Sequence, residues 1–151
     1  EPQASIAKAI APVKQIYEIG EVWPFPCMVV ITSGDIIKKR KDDLWKTLDA
    51  QKDAIDMLQQ RPQEAAKYIA SQFIAEPALK RMDGTEVARE VVITDAIKTQ
   101  EFNAALTEKD LARMEEIAAI MQGQGSLKTR DGSPFDVRGI LDLSWQKERK
   151  L

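Results

Sequence analysis

Residues 20–35, GEVWPFPCMVVITSGD, decide how the rest of the chain is interpreted. Pro24 and Pro26 each fix one backbone φ angle and favour extended geometry in the residue before them. The run Cys27–Ile31 is short, apolar and rich in β-branched residues, and a turn-forming Thr-Ser-Gly-Asp sequence ends it. This pattern is typical of a β-strand that is buried on both faces of a sheet covered by helices.

The sequence after Asp35 is dominated by helical patterns. Apolar spacing predicts a long helix over residues 42–60, and Pro62 is well placed as the first residue of a second helix over residues 62–74. A further helix is predicted to begin after Thr107, where Asp110 completes a capping box. We therefore predict an α/β fold that is predominantly helical, with one or two strands and about five or six helices.

Shorter signals connect these elements. Asp35 is predicted to cap a short helical turn, and Asp136 a last short helix. Asp83-Gly84 predicts a turn, after which Thr85 is placed to cap a helix that runs through Val92.

Composition limits the chemistry. The 151 residues suffice for one domain with a core, and the net charge of −2, with acids and bases interspersed, gives no indication of nucleic-acid binding. The chain contains no histidine, which excludes Ser-His-Asp and Cys-His nucleophilic arrangements and the usual zinc sites. Its single cysteine, Cys27, lies within the apolar run, where a buried, inert thiol is favoured over a reactive one.

No sequence motif indicates catalysis. Gly123 and Gly125 follow a predicted helix, so they do not form a glycine-rich phosphate loop. Most carboxylates lie near a lysine or arginine at helical spacing, which is typical of a solvated face. We predict a protein that is not an enzyme and that uses no metal or cofactor. A hydrolase or transferase that uses carboxylates is the weakest alternative.

The aromatic residues Trp23 and Phe25 stand beside prolines in the same stretch. Side chains of this kind line a ligand cleft in some proteins and close the end of a core in others. The sequence leaves both interpretations open.

Several landmarks, taken in order, resemble the C-terminal part of the periplasmic substrate-binding proteins of ABC importers. The resemblance is to the branch that handles nitrate, sulfonates, taurine and thiamine precursors. It covers nearly all of the chain and rests on Glu1-Pro2, residues 23–26 leading into 29–33, the helix start at 35–37, and residues 60–70, 106–111, 125–127 and 136–144.

The resemblance implies the C-terminal portion of a type II periplasmic-binding-protein-like fold, in which two α/β lobes close on a ligand. Residues 1–151 would form a single domain or fragment. Residues 1–26 would hold the end of the second lobe and the crossing, and residues 27–151 the strand and helices of the first lobe. Glu1, Trp23 and Phe25, near the crossing, would contact a small organic or anionic ligand. The protein would be periplasmic or extracytoplasmic, associated with the membrane through the transporter permease.

Roughly the first half of such a protein has no counterpart here, so we expect a piece of a longer protein. Its strand edge and apolar helix faces would lack partners, and such surfaces recruit other chains. We therefore predict a homodimer or strand-swapped assembly in which Val29–Ile31 pairs across the interface. The alternative is a helical protein–protein interaction or regulatory module without a small-molecule site, which the strong amphipathic helices favour.

Overall fold

The computed structural model of the protein describes residues 1–24, 26 and 28–151. Helices make up 57% of the described residues, which form eight α-helices and two antiparallel strands. The helices are α1 (Gln3–Ile10), α2 (Ile19–Val22), α3 (Gly34–Lys39), α4 (Lys41–Gln60), α5 (Pro62–Phe73), α6 (Arg89–Lys98), α7 (Glu108–Gly123) and α8 (Ser144–Arg149), and the strands are β1 (Ala78–Lys80) and β2 (Glu86–Ala88). The prediction of a mostly helical chain with one or two strands is confirmed, but the predicted number of helices, five or six, is too low for the described residues. None of the helices in the described ranges is long and apolar enough to cross a membrane.

The strand predicted at Cys27–Ile31 is wrong for the part of it that is described. Residues 28–31 have irregular backbone, and Met28 and Ile31 are 88% and 89% exposed. Cys27, predicted to be a buried thiol, lies outside the described residues. A strand needs a neighbour for its N–H and C=O groups, and the one ladder among the described residues joins β1 to β2. Residues 28–31 therefore pair with no described strand.

The two strands flank the predicted Asp83-Gly84 turn, and β2 lies where a helix was predicted. Leu79 pairs with Val87 across an antiparallel hairpin, so the helix predicted from Thr85 begins only at Arg89. The turn depends on Asp83, whose Oδ1 accepts hydrogen bonds from the Thr85 N–H at 2.9 Å and its hydroxyl at 2.6 Å. Gly84 completes it with a φ of +86°, a conformation that glycine adopts without strain. The hydrogen bonds of this turn thus place Val87 in a strand opposite Leu79.

The chain divides into two compact units. The first unit comprises Glu1–Ile16 and Lys46–Asn103, and its central helix α6 packs against α5, α1 and β2. Val92 and Ile93, on α6, are almost completely buried. The remaining core residues are Ala65, Ala66, Ala70, Ile74, Val87 and Ile97. The small side chains of α5 allow its backbone to lie close to α6.

The second unit comprises Tyr17–Trp45 and Ala104–Leu151. Its longest complete helix is α7, and the predicted capping box is confirmed because the side chains of Thr107 and Asp110 each accept the other's backbone N–H. Arg138 donates to Glu115 at 2.7 Å and to Glu108 at 3.0 Å, which joins the segment after α7 to that helix. Leu111 and Ala118 form the buried face of α7.

Two cap predictions in the second unit require correction. Ser33, not Asp35, caps α3, since its hydroxyl accepts the Ile36 N–H at 3.3 Å. Asp136 accepts the Gly139 N–H at 2.8 Å but supports only the single 3₁₀ turn Arg138–Ile140. Ser33 precedes α3 directly and has extended backbone, so its hydroxyl reaches a free N–H of that helix. Asp136 uses its carboxylate on an N–H of the short 3₁₀ turn.

We expect Thr107→Ala to lower the free energy of unfolding by about 1 kcal/mol, within a range of about 0.5–2 kcal/mol, because it removes the cap of α7. Urea unfolding followed by circular dichroism measures the change. Thr107→Ser keeps the hydroxyl and serves as the control, with little change expected. An alanine variant as stable as the original protein would contradict the capping role.

Candidate functional site

A cavity of about 310 Å³ opens in the first unit between α1, the β1–β2 hairpin and α6. This volume lies at the lower end of the ~300–1,000 Å³ typical of small-molecule sites. Five polar residues and four apolar residues line it. They are Ser5, Lys8, Arg81, Asp95 and Thr99, with Ala9, Val87, Val91 and Val92.

Helical spacing brings most of these residues to the cavity. On α6 and its C-terminal cap, Val91, Asp95 and Thr99 recur every four residues, so they share one face of the helix. On α1, Ser5 and Lys8 lie three positions apart and also share a face. The two helices pack together in the first unit, and the cavity lies along that contact.

Arg81, after β1, is held at the cavity by the hairpin and by α1. Its Nε donates to the Ala9 carbonyl oxygen at 3.1 Å, and its Nη1 donates to the Thr85 hydroxyl at 3.4 Å. The next residue, Met82, donates its backbone N–H to the Ile10 carbonyl oxygen at 2.9 Å. A guanidinium has five N–H donors, so these two bonds leave Arg81 with donors for an anion.

The charges of the cavity are mixed. Lys8 is exposed and its Nζ donates to the Gln15 side chain, which uses one of three ammonium donors. Asp95 places a carboxylate at the same cavity. Lys8 and Arg81 are therefore the lining residues that could bind an anionic group of a ligand.

Glu1 borders this cavity through two of the residues that line it. Its Oε2 accepts the Ser5 N–H at 3.0 Å, and its Oε1 accepts the Thr99 hydroxyl at 3.2 Å. The carboxylate therefore satisfies a free N–H at the start of α1 and links α1 to the end of α6. Burial raises the pKa of Glu1, but the hydrogen bonds from Ser5, the positive charge of the α-amino group and the hydrogen bond from Thr99 together outweigh it, and the pKa lies below its ordinary value of 4.5.

This lowered pKa predicts a pH dependence of stability. The folded chain keeps Glu1 ionised to lower pH than the unfolded chain, so the stabilisation by Glu1 is fully present above pH 4.5 and is lost as the pH falls through the folded pKa. We expect Glu1→Gln to flatten the stability profile in that acidic range, measured by urea unfolding at successive pH values. Glu101→Gln, at an exposed position in the same unit, is the control. An unchanged profile for Glu1→Gln would contradict this role.

The other two predicted ligand residues are placed differently. Trp23 belongs to the second unit, at the C-terminal end of α2, where its backbone N–H donates to the Ile19 carbonyl oxygen at 2.8 Å. Hydrogen bonds from Arg113 and from the Trp23 side chain lower the pKa of Glu116. The Trp23 indole N–H is thus paired with a carboxylate of α7. Phe25 lies outside the described residues, and Glu1 and Trp23 belong to different units.

Sequence reasoning did not identify Lys8, Arg81 or Asp95. Lys8 and Asp95 look like ordinary solvated charges, and the sequence places Arg81 only beside the Asp83-Gly84 turn. The hydrogen bond from Arg81 to Ala9 joins residues 72 positions apart, and no local spacing rule indicates it. The helical period of Val91 and Asp95 was the only signal available.

A smaller cavity of about 230 Å³ lies in the second unit, lined by Leu111, Arg138, Leu141, Leu143 and Lys147. Arg138 is already paired there with Glu108 and Glu115, which neutralise its charge. This cavity therefore offers a ligand fewer polar groups than the first.

Within residues 1–24, 26 and 28–151, no group of three or more histidine, cysteine, aspartate or glutamate side chains is arranged to hold a metal ion. In comparisons with family models, with curated proteins and with solved structures, the chain matches none.

Proposed function

We propose that this chain is the C-terminal portion of the solute-binding protein of an ABC importer, which binds a small organic or anionic ligand by closure of two lobes. The complete protein acts in the periplasm or another extracytoplasmic space, delivers its ligand to the transporter permease and catalyses no reaction. Its fold is of the type II periplasmic-binding-protein kind. These statements rest on the sequence resemblance and extend to the whole protein only as a proposal.

The observation that supports the proposal most directly is the cavity of the first unit. Both polar and apolar side chains line it, so it could contact the charged and the apolar parts of a small molecule. Glu1, predicted from the resemblance to contact ligand, bonds to Ser5 and Thr99 at the edge of this cavity. Lys8 and Arg81 supply donors for an anionic group.

Lobe closure gives such a site its affinity. A ligand shifts a protein toward the closed state only by contacting that state better than the open one. The cavity is open to solvent on one side, since Lys8 and Asp95 are exposed. In the proposal, closure of the two lobes covers that side.

A second candidate function is a helical interaction module without a small-molecule site. The observation that favours it is the exposed apolar segment Met28–Ile31, because exposed patches of this kind mark contact surfaces. The two candidates differ in whether small molecules change the stability of the protein.

Thermal unfolding and tryptophan fluorescence test the proposal. The probes are small anions, sulfonates, aromatic acids, amino acids and pyrimidines, each added to this chain and to the longer protein encoded by its gene. A ligand at 100 times its dissociation constant stabilises the folded state by about 2.7 kcal/mol, which a melting curve resolves.

We expect at least one class of probe to raise the melting temperature of the longer protein, and Lys8→Gln or Arg81→Gln to reduce that rise. Lys80→Gln, an exposed lysine outside the cavity, is the matched control. No response from either protein across the panel would contradict the proposal and favour the interaction module.

A further inference from the structure

We propose that the second unit carries a basic surface that binds the anionic headgroups of a phospholipid membrane. The basic surface consists of residues 38–41, where α3 meets α4, and of Lys147, Arg149 and Lys150 at the end of α8. The inference goes beyond the proposed ligand binding, because the candidate cavity lies in the first unit and shares no residue with this surface.

Trp45 brings the two basic segments together. The Nζ of Lys41 lies 4.0 Å from the centroid of the Trp45 ring, and the guanidinium carbon of Arg149 lies 5.6 Å from the same centroid. Both distances fall within the ~6 Å over which an aromatic ring attracts a cation. Cations from distant parts of the sequence therefore lie on one surface of the same unit.

The basic surface has an excess of positive charge. Residues 35–43 and 147–150 together hold seven lysines and arginines but only four carboxylates. The side chains of Lys38, Lys147 and Lys150 are exposed, and none of the three forms an ion pair with another described residue. These ammonium groups are therefore available to an anionic partner.

Two further cations have partners that are easily exchanged. Lys39 pairs with Asp35 at 3.1 Å and Arg40 pairs with Asp43 at 3.0 Å, and all four side chains are at least 60% exposed. Exposed ion pairs of this kind contribute little to stability. Phosphate oxygens can therefore compete with these carboxylates for both cations.

Helix stability accounts for only part of the basic surface. Cations in the last turns of α3 and α8 interact favourably with the helix dipoles. Lys41, in contrast, is the first residue of α4, where a positive charge is unfavourable, and its contact with Trp45 holds it there. A binding role explains a cation at this position.

Apolar side chains stand beside the cations. Ile36 precedes Lys39 by one helical turn and is 42% exposed, and Leu151 directly follows Lys150 and is 46% exposed. Surfaces that bind membranes place apolar side chains at the boundary of the acyl chains while lysines extend to the headgroups. The basic surface combines both kinds of side chain.

These features favour a membrane over a partner with fixed charges. Five of the seven cations are lysines, which are flexible point charges, whereas recognition of fixed carboxylates favours the planar arginine. A mobile layer of headgroups adapts to flexible lysines. Clusters of about four to eight lysines and arginines are typical of segments that bind anionic lipids.

Co-sedimentation with lipid vesicles tests the inference on the full 151-residue chain. One set of vesicles contains phosphatidylcholine alone, and the other contains equal parts of phosphatidylcholine and the anionic phosphatidylglycerol. We expect the chain to bind the anionic vesicles and not the neutral ones. Binding should be lost in high salt, because the Debye length falls from ~10 Å at ~0.1 M to ~3 Å at ~1 M ionic strength.

Double variants test whether both segments take part. Lys38→Gln with Lys39→Gln, and Lys147→Gln with Lys150→Gln, are each expected to weaken binding to the anionic vesicles at least about tenfold. Lys67→Gln with Lys98→Gln removes the same charge from exposed positions of the first unit and should leave the affinity unchanged. Circular dichroism verifies that every variant is folded.

Three results would overturn the inference. The chain might bind both kinds of vesicle equally, or the three double variants might lose equal affinity, which would indicate an effect of net charge alone. Binding to poly-L-glutamate without binding to anionic vesicles would assign the surface to an acidic protein partner instead. None of these results involves a small-molecule ligand, so the proposed function is tested separately.

Discussion

Ile93→Ala is expected to lower the free energy of unfolding of the first unit by about 2–5 kcal/mol. Ile93 is 2% exposed and lies in the core that α6 forms with α5. Truncation removes apolar contacts and leaves a cavity that small side chains of the same core, such as Ala66 and Ala70, cannot fill. Urea unfolding monitored by circular dichroism gives the change. A domain has only about 5–15 kcal/mol of stability in total, so this loss would be severe.

The chain offers a matched control for this substitution. Ile16 belongs to the same unit and is 93% exposed, so Ile16→Ala removes the same atoms without opening a cavity. We expect its effect to stay within about 0.5 kcal/mol. Equal effects at the two positions would contradict the placement of Ile93 in a packed core.

The second large effect concerns association. We expect the chain to form dimers at tens of micromolar concentration, with Val29–Ile31 of one copy pairing with the same segment of a second copy. Between described residues, no backbone hydrogen bond involves residues 28–32, and the apolar side chains of residues 28–31 are exposed. Free backbone groups beside exposed β-branched side chains favour strand pairing between chains.

Analytical ultracentrifugation measures this association. The double substitution Val29→Lys and Ile31→Lys places charges two residues apart, on one face of an extended segment, and is expected to give monomers. Ile16→Lys changes an exposed isoleucine outside the segment and should leave the dimer intact. A monomeric original chain at that concentration would contradict the prediction.

Local sequence signals predicted the three longest helices, α4, α5 and α7, well. Residues 42–60 and 62–74 correspond to α4 and α5, and Thr107 caps α7 as its spacing with Asp110 indicated. These elements depend on apolar periodicity, on Pro62 and on a capping box, all of which act within a few residues.

Strands were predicted poorly, for a physical reason. A strand is stable only with a partner strand. The β-branched residues Val29–Ile31 favour extended backbone, but no described strand pairs with them. The hairpin formed instead where Asp83 and Gly84 make a tight turn and bring Leu79 opposite Val87. Side-chain composition alone does not reveal that pairing.

Of the residues at the candidate site, only Glu1, at the edge of the cavity, was predicted from the sequence. Glu1 came from the resemblance, and its bonds to Ser5 and Thr99 connect it to the cavity. Lys8 and Arg81 come together because the segment after β1 hydrogen-bonds to the end of α1, a contact between distant parts of the sequence. Such tertiary contacts follow from packing, which local spacing does not encode.

The central claim is that a small molecule binds in the cavity of the first unit. The most direct measurement is the change in backbone amide NMR shifts of the ¹⁵N-labelled chain when the ligand with the largest thermal effect is added. We expect the largest changes at the cavity, in particular at Ser5, Arg81 and Asp95. Changes confined to residues 104–151, or no changes at a saturating ligand concentration, would contradict the claim.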